Sequence, residues 1–213
     1  MRAPELAPLV GRDAVLAEIR RYLAQDHNVL LIGPRDVGKT AIIRALALHG
    51  VLLLDPFMGV TPRAAGAIRR AMDRGVQCLA AARSTDRAEL GAVRRLVFRF
   101  TSVRVPPLPR RWMRQLLAAE LARQELDCDA AAPAWMSEVV RLSHGLPGLG
   151  VAIIRAAAEL RARTGHLPSP RTALVNADIG RVELYASGLQ LGSRRPVLRH
   201  ADVPGSAAPR RDP

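Results

Sequence analysis

Two spacings of apolar residues alternate along this chain. Short unbroken apolar runs occur at 29–32 and 51–54, the second ending in Asp55. Runs of this kind predict strands buried on both faces of a parallel sheet. A third strand is expected over 76–82, ending at Arg83-Ser84, and a fourth within 96–105, before Pro106-Pro107-Leu108-Pro109. Between the runs, apolar residues recur every three or four positions, as on one face of a helix. Val15, Leu16, Ile19 and Leu23 form one such face, and Ile42, Ile43, Leu46 and Ala47 another over 40–48. Thr61-Pro62 supplies an N-cap and a first-turn proline. The helix that follows carries Ala65, Ile68, Ala71 and Met72 on one side and stops at Gly75. Residues 110–163 read as three helices with stripes through Trp112, Met113, Leu116, Leu117 and Leu121, then Trp135, Met136, Val139, Val140 and Leu142, then Val151, Ile154, Ala158 and Leu160. After Gly165 the spacing breaks. Val182-Glu183-Leu184-Tyr185 reads as one short strand, and the final residues as a disordered basic tether.

Composition narrows the classes. Apolar residues make up 49% of the 213 and aromatics only 3%, so Leu, Ile, Val and Ala must fill the core. No apolar run reaches the roughly 18 residues that cross a bilayer. The first residues lack the layout of a secretory signal. Cys78 and Cys128 form neither a disulfide framework nor a metal-ligand spacing. The expectation is a cytoplasmic protein with no membrane contact. A net charge of +13 would attract nucleic acid or acidic proteins, or else reflect arginines scattered over the surface.

Among 32 Lys and Arg residues there is a single lysine, Lys39, and it stands in Gly33-Pro34-Arg35-Asp36-Val37-Gly38-Lys39-Thr40. This is the Gly-x-x-x-x-Gly-Lys-Thr loop. Its backbone wraps phosphates, and its compact ammonium reaches the β- and γ-phosphates where a planar guanidinium would not fit. The helix beginning at Thr40 and Ala41 aims its free N–H groups at the same place. All of these residues, Gly33 to Ala41, are candidate nucleotide contacts, and the Thr40 hydroxyl is a candidate Mg²⁺ ligand. Asp55 ends a parallel strand where such sheets present ligands, so it is a second candidate for Mg²⁺. The fold class that follows is α/β: a P-loop NTPase three-layer sandwich with a reduced, mainly parallel sheet of about four strands and then a small helical lid. The boundaries are expected at 1–105 for the nucleotide-binding domain, 106–165 for the lid and 166–213 for a largely flexible extension.

The order of parts resembles AAA-plus ATPases, nearest to the signal-transduction (STAND) and origin-recognition-type branch. The resemblance rests on Leu9-Val10-Gly11-Arg12-Asp13 ahead of the P-loop strand, Ala81-Ala82-Arg83-Ser84, Arg104 through Pro109, and Gly145-Leu146-Pro147. It implies that Val10, Gly11 and Arg12 lie beside the adenine and that Pro147 packs by the base. It also implies that Arg83 approaches the γ-phosphate, as a catalytic residue alongside Lys39 and Asp55.

Three departures shape the functional expectation. Only His49-Gly50 separate the P-loop helix from the Asp55 strand, so the strand that relatives carry there, at the sheet edge, is expected to be missing. Pro56 occupies the position after Asp55 where relatives commonly place a water-activating acid. Gly148 stands near where some relatives place a phosphate-sensing Arg. The expectation is an ATP- and Mg²⁺-binding ATPase module whose slow or partner-dependent hydrolysis switches a partner interaction. The alternatives are a non-hydrolysing ATP switch and a DNA-associated helper ATPase of the replication or transposition type. A small-molecule kinase would leave the Val10-Gly11-Arg12 box and the lid unexplained. The expected partners are a protein of unknown identity or further copies of the chain, with nonspecific nucleic acid as a candidate.

Overall fold

The computed structural model describes residues 9–46, 50–126 and 133–190. Four parallel strands form one sheet: β1 (Asn28–Ile32), β2 (Leu52–Leu54), β3 (Cys78–Ala82) and β4 (Phe100–Arg104), in spatial order β2-β3-β1-β4. Alternate residues face opposite layers, as the pleat requires. Val29, Leu31, Leu79 and Ala81 meet helices α1 (Asp13–Ala24) and α2 (Lys39–Leu46) on one face. Leu30, Cys78, Ala80 and Ala82 meet α3 (Pro62–Asp73) and the Leu90–Leu96 segment on the other. That segment runs from a short helix, α4 (Arg87–Leu90), into 3₁₀ turns that lead to β4. The three-layer expectation holds, with four strands.

Strand β1 takes in Asn28 ahead of its apolar run, and the other three strands are shorter than the stretches expected for them. Val51 and Val76 fall outside β2 and β3, and the 96–99 stretch turns before β4 begins. Of the helix expected over 40–48, residues 39–46 are helical and the last two positions lie outside the described residues. Within the sheet β2 pairs only with β3, so its outer edge carries no further strand among the described residues, and Leu53 is 43% exposed there. The short connection after the P-loop helix leaves no chain for a fifth strand.

The lid is a separate cluster. Helices α5 (Arg110–Arg123), α6 (Pro133–Leu142) and α7 (Pro147–Thr164) pack through Met113, Leu117, Leu121, Val139, Val140, Ile153 and Ile154. One expectation is corrected here. Residues 182–185 are not a strand but part of a long helix, α8 (Pro170–Gln190), and structure does not end at Gly165. Helix α8 lies against α7 and α6, with Ala173 fully buried in the lid core. Its start is well marked: the Ser169 hydroxyl accepts the Thr172 amide at 3.2 Å ahead of a first-turn Pro170. Thr61 and Pro62 open α3 in the same way. The Trp135 indole N–H donates to the Pro168 carbonyl at 3.0 Å and ties α6 to this turn. Residues 191–213, where a basic tether was expected, and Cys128 lie outside the described residues.

Candidate functional site

At the carboxyl ends of the strands, the P-loop passes from β1 into α2 through two left-handed residues, Asp36 (φ 64°) and Gly38 (φ 100°). Gly33 has no room for a side chain, since a Cβ there would meet the Val105 carbonyl at 2.7 Å. Lys39 begins α2 and folds back on its own loop. Its Nζ donates to the carbonyls of Gly33 at 2.7 Å and Pro34 at 2.8 Å. Burial lowers the pKa of this ammonium; Asp55 and Asp36 act against that shift, and Arg83 adds to it. Lysine, both acids and the arginine therefore share one electrostatic neighbourhood.

A cavity of about 980 Å³ opens over the loop. Its floor comprises Arg35, Asp36, Val37, Gly38, Lys39, Thr40 and Ala41 from the loop and α2, with Asp55 and Arg83 from neighbouring strand ends. Val10, Arg12 and Pro147 also line it. Gly11, Gly33 and Pro34 do not and act from behind the wall. Gly11 (φ 66°) lies flat against Trp112 of α5, where a Cβ would sit 2.5 Å from the ring. Gly33 and Pro34 hold Lys39.

Arg12 is only 3% exposed, and among the described residues it has no carboxylate partner. Its guanidinium donates to the Pro106 carbonyl at 2.6 Å and the Val37 carbonyl at 2.7 Å, clamping the P-loop to the strand that leads into the lid. Burial lowers its pKa. Arg12 is thus a clamp that also lines the cavity.

Asp55 is placed by its neighbours. The Phe57 amide donates to the Ala81 carbonyl at 2.8 Å, and the Phe57 ring packs edge-on against Phe100, 5.1 Å between centroids. The first contact holds the turn after β2 against β3, and the second reaches across to the start of β4. Thr40 and Asp55 both line the cavity and both carry hard oxygen donors of the kind Mg²⁺ takes. Among the described residues no three His, Cys, Asp or Glu gather as a cage.

The lid supplies residues for which the sequence has no motif. Leu116, Glu120 and Arg123 of α5, with Val151 and Arg155 of α7, line the same cavity. Glu120 is 4% exposed, accepts from Arg155 Nε at 2.8 Å and Gln124 at 3.1 Å, and lies 3.4 Å from Arg123. Its only sequence signal is an acid beside the apolar stripe at Met113, Leu117 and Leu121. Glu89, after β3, lines the cavity as well.

Comparisons with known proteins agree on the fold. No family model matches the chain, and no curated protein does. Solved structures do. A mutant form of Thermotoga maritima RuvB matches with TM-score 0.57 and 13% identity over 84% of this chain and 72% of that one. The Aeropyrum pernix ORC1 protein, solved in complex with DNA, matches with TM-score 0.56 and 17% identity over 85% and 68%. The Thermotoga maritima RuvB described as a Holliday junction branch migration motor matches with TM-score 0.55 and 13% identity over 81% and 72%. The chain has the P-loop NTPase fold of these ATPases. Among the described residues no helix is long and apolar enough to cross a membrane.

Proposed function

We propose that this protein is an ATP-binding switch of the AAA-plus kind, in which nucleotide bound over the P-loop fixes the position of the helical lid and so controls a partner. The observation that carries this is the shared cavity: Lys39, Thr40 and Asp55 line it from the P-loop side, and Pro147 and Gly148 line it from the start of α7. Lys39 is held between two loop carbonyls and would pass to the β- and γ-phosphates. Thr40 and Asp55 would hold Mg²⁺, which neutralises phosphate charge. Arg83 would approach the γ-phosphate, and Val10, Leu108, Leu116 and Val151 offer an apolar seat for the base. Val10-Gly11-Arg12 and Gly145-Leu146-Pro147 support the STAND and origin-recognition resemblance, in which a lid reports nucleotide state.

Calorimetry with ATP and Mg²⁺, beside phosphate release, tests the reading on wild type and Lys39→Ala. Binding that is abolished in the variant is expected; equal binding by both would overturn it.

A DNA-associated role is the second reading. It is favoured by Phe98, 83% exposed and near the exposed Arg94 and Arg95, and by two of the similar structures, one solved in complex with DNA and one a Holliday junction branch migration motor. An exposed aromatic among arginines suits stacking and phosphate contact. Oligonucleotide affinity should then fall steeply with salt, and a flat response would remove this reading.

A further inference from the structure

ATP hydrolysis needs a group that orients the attacking water, and Pro56 cannot serve. Four carboxylates line the cavity: Asp36, Asp55, Glu89 and Glu120. Three of them have other duties. Asp36 lies against the first turn of α7, where a Cβ added at Gly148 would come 3.0 Å from its carboxylate Oδ1. Asp55 is the candidate metal ligand. Glu120 is buried between two arginines of the lid. Glu89 is exposed, and among the described residues its carboxylate has one hydrogen-bond partner, the uncharged Ser84 hydroxyl at 3.1 Å.

Topology brings the segment that carries Glu89 out of the sheet between the P-loop and the turn after Asp55. Strand β3 lies between β1 and β2, with Ala82 level with Ile32 and Ala80 level with Leu54. The chain leaving β3 therefore emerges between Lys39, which follows β1, and Asp55, which follows β2. The Arg83 amide contacts Met58 Sδ at 3.4 Å, so this segment runs alongside the turn after Asp55. The Ser84 hydroxyl also accepts the Asp86 amide at 3.1 Å, a local turn that sets where Glu89 begins.

We infer that Glu89 is the general base of this site, supplied by the segment after β3 in place of an acid after Asp55. The inference rests on the nucleotide reading above. In the step, the water oxygen bonds to the γ-phosphorus as its proton passes to the Glu89 carboxylate. The bond from that phosphorus to the β–γ bridging oxygen breaks, and ADP leaves with the electron pair. Solvent then takes the proton from the exposed carboxyl.

The test compares wild type, Glu89→Gln and Glu89→Asp for ATP affinity, binding of ADP with aluminium fluoride, and phosphate release against pH. Because Glu89 is exposed, both variants should fold as wild type does, which circular dichroism checks. Glu89→Gln is expected to bind ATP within about threefold of wild type and to lose about a hundredfold or more in turnover. It should also bind the transition-state mimic more weakly and lose the acid limb of the pH profile. Glu89→Asp should recover part of the turnover. Glu89→Gln turnover within about threefold of wild type would overturn the assignment. So would a wild type that binds ATP and releases no phosphate, an outcome that leaves the nucleotide reading intact. Absence of ATP binding would remove both.

Discussion

The amide of Gly148, in the first turn of α7, donates a 2.8 Å hydrogen bond to the carbonyl of Asp36 in the P-loop. The lid thus touches the phosphate loop through backbone, at a residue whose added Cβ would lie 2.9 Å from the Asp36 Cβ. The position that some relatives give to an arginine is here a close approach that excludes side chains. Two helix N-termini, those of α2 and α7, meet at one loop, and both favour negative charge.

Gly148→Ala should therefore lift the lid from the P-loop. Overpacking of this kind costs about 1–3 kcal/mol. ATP affinity is expected to fall roughly tenfold, the equivalent of about 1.4 kcal/mol. Trp112 fluorescence should report the displaced lid, and calorimetry the affinity. Unchanged affinity would show that this contact does not couple lid and loop.

Arg12 makes a second prediction. Arg12→Met removes both donors from the Pro106 and Val37 carbonyls, and leaving buried acceptors unsatisfied costs about 1–3 kcal/mol. Urea denaturation should show that loss. Arg12→Lys should rescue little, because a point-like ammonium does not reproduce the fork that spans two carbonyls 94 and 25 positions away in sequence.

Glu120 should behave as the hub of the lid. Glu120→Gln leaves Arg155 and Arg123 without a counter-charge at the cavity wall. Because those arginines are 55% and 44% exposed, solvent screens them, and the loss should be about 1–2 kcal/mol, below that of a fully buried pair. A double-mutant cycle with Arg155→Met would isolate the pair.

The lid should also loosen in acid. Glu138 has a pKa lowered to about 2, chiefly by hydrogen bonding from Arg141, with Arg171 of α8 adding to it. A carboxylate depressed in the folded state stabilises above its unfolded pKa, and that contribution is lost as pH falls from about 4.5 toward about 2. Wild type should lose stability across this window more steeply than Glu138→Gln, as read by thermal melting at stepped pH.

Cys78 gives a chemical check on the core. Its thiol is fully buried and its pKa is pushed up to about 11 by that burial, with Arg99 acting weakly the other way. In a Cys128→Ser background, thiol reagents at pH 8 should react with Cys78 only as fast as the protein unfolds. Rapid labelling of folded protein would contradict its placement in β3.

Contiguous features were determined by the sequence alone. A phosphate loop is a local object: Gly33 to Thr40 needs only its own glycines, one lysine and a strand and helix on either side. The apolar runs and the three-to-four spacing set the parallel sheet and its helices, because burial on two faces leaves strands no polar positions. Asp55 was legible because it ends such a run. Helix α8 opens with Ser169-Pro170 as α3 does with Thr61-Pro62, yet its sequence gathers no apolar stripe that would mark it as a helix. Tertiary structure alone decided the remaining parts of the site. Glu120 and Arg155 lie 35 positions apart and meet only when α5 and α7 pack. The Asp36–Gly148 contact joins loop to lid only once the lid has folded back over the strand ends. Glu89 faces the cavity because β3 lies between β1 and β2 in the sheet. Such proximity depends on strand order and helix packing, which no spacing of residues along a chain encodes.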